Sequence, residues 1–277
     1  MNEYDLTPVQ KIGEFYFKRD DLFQPFGKGE VNGGKLRQCM MLVNNLKNVK
    51  HLITYCSIHS PQAPITAAVA LNKGLKCEIL YGGTTRDMLK KLSMPRLCLK
   101  YKANIHIAAK SGRHNVLYAK AKELAKLNNA FIIQYGINII NYRDVLLNAV
   151  ANQVQNIPDN IDDFIMVCGS GITAAGVLIG FKRFNKHVKR VHLVATAPNR
   201  ERFIHSTLDK YRADRDVIYH SLFDRKDFMY EKREYFLYKG IIFHPNYEAK
   251  MMKWFVNSDI NSNKILLWIT GAEPTKI

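Results

Sequence analysis

Lys35 stands in the run Asn32-Gly33-Gly34-Lys35-Leu36-Arg37. Far along the chain, Gly169-Ser170-Gly171-Ile172-Thr173-Ala174-Ala175-Gly176 follows the apolar run Phe164-Ile165-Met166-Val167. A lysine amine can hold an aldehyde. A strand, a small-residue turn and a helix start leave several backbone N–H groups pointing at one spot, where a dianionic phosphate can accept them. The turn is an anion cradle without the lysine of a P-loop. Taken singly, both features have plainer readings: a Gly-Ser-Gly turn before a helix is more often a tight connection, and a lysine after two glycines is usually solvated.

Both belong to a longer ordered pattern. Phe17-Lys18-Arg19-Asp20-Asp21-Leu22 precedes Gly33-Gly34-Lys35-Leu36-Arg37. Ser60-Pro61-Gln62-Ala63-Pro64-Ile65-Thr66-Ala67-Ala68-Val69-Ala70 runs on to Gly74-Leu75-Lys76-Cys77. His244-Pro245-Asn246-Tyr247-Glu248-Ala249-Lys250 and Leu266-Leu267-Trp268-Ile269-Thr270-Gly271-Ala272 close the series. In this order the stretches resemble the pyridoxal-phosphate enzymes of the tryptophan synthase beta type (fold type II). The resemblance is to the branch of 1-aminocyclopropane-1-carboxylate deaminase and D-cysteine desulfhydrase in particular, and it covers the chain from about Thr7 to Gly271.

The resemblance implies pyridoxal 5'-phosphate as cofactor, with Lys35 as the lysine that bonds its aldehyde. Gly169, Ser170, Gly171, Ile172 and Thr173 would hold the phosphate, and Gln62 would contact the cofactor. Tyr247 and Ser60 would act in proton transfer, and Glu248 or Thr270 would face the ring nitrogen. Such a cofactor needs a lysine, a phosphate cradle and a ring-nitrogen partner, because its ring accepts the electrons released when a bond at Cα breaks. An acidic partner keeps the ring nitrogen protonated, whereas a hydroxyl permits a neutral ring. Two departures stand out: the order Asn-Gly-Gly-Lys replaces Gly-Gly-Asn-Lys, and Pro61 replaces an asparagine that contacts the ring hydroxyl in the family. The resemblance also implies a homodimer. Since family members are usually longer, it further implies that some peripheral helix or oligomer contact is missing.

Apolar runs at 51–55, 77–81, 131–134 and 191–194 alternate with helical stretches at 35–48, 62–73, 114–127 and 142–155. This alternation predicts an α/β fold of parallel strands joined by crossover helices, with both sheet faces covered. By resemblance, two open, twisted, mostly parallel sheets flanked by helices form a small and a large domain, with the cofactor cleft between them. Residues 38–147 would be the small mobile domain, and 1–37 plus 148–277 the large one.

At 277 residues and 47% apolar content the chain can bury a large core. Cys39, Cys56, Cys77, Cys98 and Cys168 lack paired metal-ligand spacing and read as reduced thiols, which suits a cytoplasmic compartment. No metal site is expected. No stretch reads as a signal core or a membrane span.

Charge is what the resemblance leaves unexplained. Forty-one basic against twenty-four acidic residues give +17. Eleven basic and two acidic residues fall between Arg86 and Lys126, among them Arg86, Lys90, Lys91, Arg96, Lys100 and Lys102 as candidate nucleic-acid contacts. Between Lys182 and Lys239, Tyr211, Tyr219, Phe223, Phe228, Tyr230 and Tyr235 are interleaved with basic residues, a pattern that can stack on unpaired bases. AT-biased coding also raises lysine, although it should raise glutamate too; aromatics at helical spacing are more often core.

Three function classes stay open. The first is a pyridoxal-phosphate enzyme breaking a bond at Cα of an amino-acid group by decarboxylation, elimination or deamination. That group could be carried on DNA in a base-modification pathway of a virus-encoded enzyme. The second is a deaminase or desulfhydrase of a small free amino acid, and the third a non-catalytic nucleic-acid-binding relative.

Overall fold

The computed structural model describes residues 1–110 and 112–275. The chain opens with the antiparallel pair β1 (Val9–Ile12) and β2 (Phe15–Arg19). Helix α1 (Gly34–Asn44) leads into β3 (His51–Tyr55), α2 (Gln62–Asn72) and β4 (Lys76–Gly82). Two short helices, α3 (Arg86–Lys91) and α4 (Ser93–Lys100), precede β5 (Asn104–Ala109), α5 (His114–Asn128) and β6 (Phe131–Ile133). Next come α6 (Arg143–Ala151), β7 (Ile161–Cys168), α7 (Ile172–Arg183), β8 (Val188–Ala195) and α8 (Glu201–Lys210). After β9 (Ile218–Ser221), the hairpin β10 (Leu237–Tyr238) and β11 (Ile241–Ile242) leads to α9 (Glu248–Phe255) and β12 (Ile265–Ile269).

The chain divides into two compact units. Met1–Pro25, Asn32–Gly34 and Asp144–Glu273 make the first, and Phe26–Val31 with Lys35–Arg143 make most of the second. The first contains a six-stranded sheet in the order β1-β2-β12-β7-β8-β9, parallel except at β1. One core cluster joins Ile165, Val167, Leu267 and Ile269 of its strands to Met251, Met252 and Phe255 of α9. Phe164 meets Phe181 of α7 edge-on at 5.0 Å. β7 is buried over nearly its whole length, as a central parallel strand covered on both faces must be, so it reads as a continuous apolar run.

The second unit holds the parallel sheet β5-β4-β3-β6. Ile53, Tyr55 and Leu80 pack against Leu117 and Ala121 of α5. Helix α2 is buried from Gln62 to Ala70, which explains its alanine-rich sequence. Mostly parallel sheets flanked by helices are therefore the architecture, as the alternation predicts.

Element ends depart from the expectation. The helix expected over 35–48 stops at Asn44, and Asn48 adopts a left-handed φ of 56°. The helix expected over 142–155 gives way after Ala151 to a 3-10 turn at Asn152–Val154. The aromatic span after Tyr211 forms no α-helix before α9; its backbone pairs instead as edge strand β9, with His220 opposite Val194, and as the small hairpin. Phe228 is buried there, while Tyr235 is 81% exposed. All five cysteines are free and buried.

Candidate active site

In parallel sheets, side chains that meet ligands gather beyond the carboxyl ends of strands. Each unit presents one such edge. In the second unit this edge carries Ser60 after β3 and the turn Gln134–Gly136 after β6. Lys35, the second residue of α1, donates from Nζ to the Gly136 carbonyl at 3.2 Å. Its side chain is partly exposed, yet protein atoms surround the amine, and burial lowers its pKa to about 8. Burial also pushes those two thiols up to about 12, so they stay neutral.

Gln62 holds the carbonyl partner of Lys35 in place. Its Oε1 accepts the Gly136 N–H at 2.7 Å, and its Nε2 donates to Thr54 Oγ1 at 2.8 Å and to the Gln134 carbonyl at 3.0 Å. Three of the four bonding positions of this amide are thus taken by protein. Ser60 is buried and accepts the Gln62 N–H at 3.3 Å at the start of α2.

In the first unit, the residues ahead of Lys35 are pinned to the end of β12. The Gly34 N–H donates to the Thr270 carbonyl at 2.8 Å, and Asn32 Oδ1 accepts the Ala272 N–H at 2.8 Å. Gly33 has φ +91°, and a Cβ there would stand 2.4 Å from the Thr270 carbonyl oxygen. The reordered Asn-Gly-Gly thus fits a close backbone approach that only glycine allows at its centre.

Glu248 and Thr270 meet directly. Both the N–H of Thr270, at 3.0 Å, and its hydroxyl donate to Glu248 Oε1. Glu248 is buried, and burial raises its pKa to about 7 although both donors favour the charged form. Tyr247, just before α9, places its Oη 2.7 Å from that of Tyr230. Buried Lys250 holds the loop carrying Tyr230, donating to the carbonyls of Phe228 at 3.3 Å, Met229 at 2.6 Å and Tyr230 at 3.3 Å. Asn246 Nδ2 adds a bond to the Tyr230 carbonyl at 2.8 Å. Sequence reasoning missed the coupling of Tyr230 to Tyr247 and the role of Lys250; seventeen residues separate the two tyrosines, and no local periodicity announces the contact.

Gly169, Ser170, Gly171, Ile172 and Thr173 lie where β7 hands over to α7. The first helical bond runs from Ala175 N–H to the Gly171 carbonyl at 2.9 Å, so the N–H groups of Ile172, Thr173 and Ala174 precede the ladder. Gly171 caps the helix with φ +87° and contributes no side-chain cap. A Cβ added to Gly169 would meet nothing within 4 Å. Open space at Gly169, main-chain N–H groups ahead of the helical ladder, a lysine amine of lowered pKa and a buried carboxyl fit the phosphate, aldehyde and ring nitrogen of pyridoxal phosphate in chemical type.

The candidate nucleic-acid residues are exposed on the second unit. Arg86, Lys90 and Lys91 lie on α3, Arg96 and Lys100 on α4, and Lys102 just beyond it. Lys100 is engaged by Glu30 at 2.9 and 3.0 Å. Among the described residues no helix is long and apolar enough to cross a membrane.

A family model described as pyridoxal-phosphate dependent enzyme matches residues 4–224. The O-seryl-dTMP PLP-dependent decarboxylase of Salmonella phage ViI is 25% identical, over 98% of this chain and 82% of its own length. A crystal structure of an ACC deaminase homologue superposes with a TM-score of 0.76 at 21% identity, covering 99% of this chain and 91% of the other. Maize serine racemase gives 0.65 at 17% identity, covering 96% and 88%. At these identities the two structures establish the fold.

Proposed function

The chain belongs to the pyridoxal-phosphate-dependent enzyme family and breaks a bond at Cα of an amino-acid group; on that premise we propose that the group is a seryl residue carried on a thymidine nucleotide, from which the enzyme removes carbon dioxide. The observation that carries this reading is the likeness to the phage decarboxylase along 98% of the chain. A net charge of +17 supports it, because a nucleotide or DNA carrier is anionic and would be steered to a basic protein.

When bound, pyridoxal phosphate supplies an electron sink for the pair released at Cα. Lys35, with its pKa lowered to about 8, would offer near neutrality a larger fraction of free amine than an ordinary lysine for bonding an aldehyde carbon. The 169–173 turn would hold the phosphate. Glu248, oriented by Thr270, would be the partner that keeps a pyridine nitrogen protonated. Losing carbon dioxide leaves Cα one proton short; Tyr247 Oη, in contact with Tyr230 Oη, or Lys35 Nζ delivers it, with Ser60 as a further acid or base. Gln62 acts by fixing the Gly136 carbonyl that Lys35 contacts. The phage relative supports a virus-encoded enzyme working inside a host cell, and light scattering checks the homodimer implied by the resemblance.

The test offers the enzyme an O-seryl thymidine monophosphate, the same unit within an oligonucleotide, and free D-cysteine or 1-aminocyclopropane-1-carboxylate. Release of carbon dioxide with formation of the aminoethyl ether is expected from a thymidine-linked substrate. Ammonia release from a free amino acid, with the nucleotide untouched, would replace this reading by the deaminase one.

A further inference from the structure

A cradle built only of main-chain donors offers partial charges, whereas strong phosphate sites pair the anion with a full cation. The stretch from Gly169 to Thr173 contains no lysine or arginine. The fold of the first unit brings one alongside. Arg200, at the head of α8, has its Cβ 3.3 Å from the position of a Cβ on Gly171. Its Nε is buried without a hydrogen-bond partner, and it forms no ion pair with a carboxylate among the described residues. Its backbone N–H donates to Tyr219 Oη at 3.0 Å, and its charge acts on the thiol of Cys168, the residue just before the turn.

A second donor stands at the same edge. Thr196 follows β8, and its N–H bonds to the Cys168 carbonyl at 3.2 Å, which fixes it beside the start of the turn. Thr196 is 1% exposed, and its buried Oγ1 has no partner. Buried polar atoms are rarely left unsatisfied without a reason such as an absent ion. Arg200, with its buried Nε unpartnered, and Thr196, with its buried hydroxyl unpartnered, thus stand next to a helix start at which the N–H groups of Ile172, Thr173 and Ala174 precede the helical ladder.

We propose that Arg200 and Thr196 are phosphate ligands, completing the 169–173 turn as a site for the phosphate monoester of the cofactor, with Arg200 supplying the full positive charge that the turn lacks. The inference rests on the assignment of that turn made above. A phosphate on a nucleotide-linked substrate is the other source of the same chemistry, and the experiment separates the two.

The experiment titrates cofactor-free protein with pyridoxal phosphate and with pyridoxal, following visible absorbance, and reads the ratio of the two affinities. Arg200→Met should weaken pyridoxal phosphate by about tenfold or more while leaving pyridoxal unchanged, Arg200→Lys should recover part of the loss, and Thr196→Val should cost a few-fold. Inorganic phosphate should raise the melting temperature of the parent protein more than that of Arg200→Met. Because the readout is a ratio within one protein, and Arg200→Lys retains charge and bulk, a folding defect in the methionine variant does not mask the result. An unchanged ratio in Arg200→Met overturns the proposal, as does an effect confined to the KM of a nucleotide substrate. Gly171→Val serves as reference: if it abolishes the preference for pyridoxal phosphate while Arg200→Met does not, only this inference fails, and if neither variant does so, the turn assignment fails with it.

Discussion

Thr270 donates twice to one oxygen of Glu248, through its main-chain N–H at 3.0 Å and through its hydroxyl. The two residues that compete for the ring nitrogen in the sequence are therefore partners in space. One carries the ionisable group and the other holds it in place.

Burial raises the Glu248 pKa from the ordinary 4.5 to about 7. A group raised in the folded state contributes stability that is full below its unfolded pKa and is lost as pH rises through the folded one. Cofactor-free protein should therefore lose up to about 3 kcal/mol between about pH 4.5 and pH 7 from this residue. Urea unfolding of the parent and of Glu248→Gln at several pH values checks this; equal pH slopes in the two proteins would rule it out.

Lys35 shifts the other way. Its folded pKa is depressed to about 8, so its stability contribution is present above the unfolded value and lost as pH falls through about 8. The same shift sets the supply of free amine, so cofactor capture should accelerate with pH with a midpoint near 8. Stopped-flow absorbance reads the rate. Lys35→Ala should show no visible band that borohydride removes, and a reducible band in that variant defeats the assignment.

Replacing Gln62 with leucine removes the acceptor of the Gly136 N–H and a donor to the Gln134 carbonyl in a largely buried setting. The cost should be about 1–3 kcal/mol in denaturant unfolding. Cofactor capture should slow as well, because the Lys35 partner Gly136 loses its anchor. A variant as stable as the parent would show that the network is dispensable.

Gly33 and Gly74 separate two costs of left-handed backbone. Gly33 has φ +91° with the Thr270 carbonyl oxygen 2.4 Å from an added Cβ, whereas Gly74 has φ +66° and nothing within 4 Å. Gly74→Ala should cost about 1 kcal/mol, and Gly33→Ala clearly more, with weakened cofactor binding because it displaces the start of α1. Similar melting temperatures for both variants contradict the close-approach argument.

Exposed Lys90 and Lys91 differ from Lys100, which Glu30 already engages. If the basic helices bind DNA, Lys90→Glu with Lys91→Glu should lower affinity and reduce the salt slope by about one for each phosphate no longer neutralised, more than Lys100→Glu does. Fluorescence anisotropy across a salt series measures both, and binding undetectable at low salt removes the nucleic-acid role altogether.

Much of this protein was legible along the chain. Parallel strands covered on both faces must be continuous apolar runs, so β7 and β8 announced themselves, and the crossover helices between strands followed from alternation. Lys35, the turn after β7, and Tyr247-Glu248 stood in recognisable local contexts. Tertiary structure alone decided which groups work together. That Thr270 serves Glu248, that Gln62 spends its amide on Gly136, that Lys250 clamps the loop of Tyr230, and that Arg200 lies beside Gly171 all depend on pairs from 20 to 74 residues apart. Periodicity reports which face of an element is buried; partners across such loops are chosen by sheet order and helix packing, so no local pattern in the chain can name them.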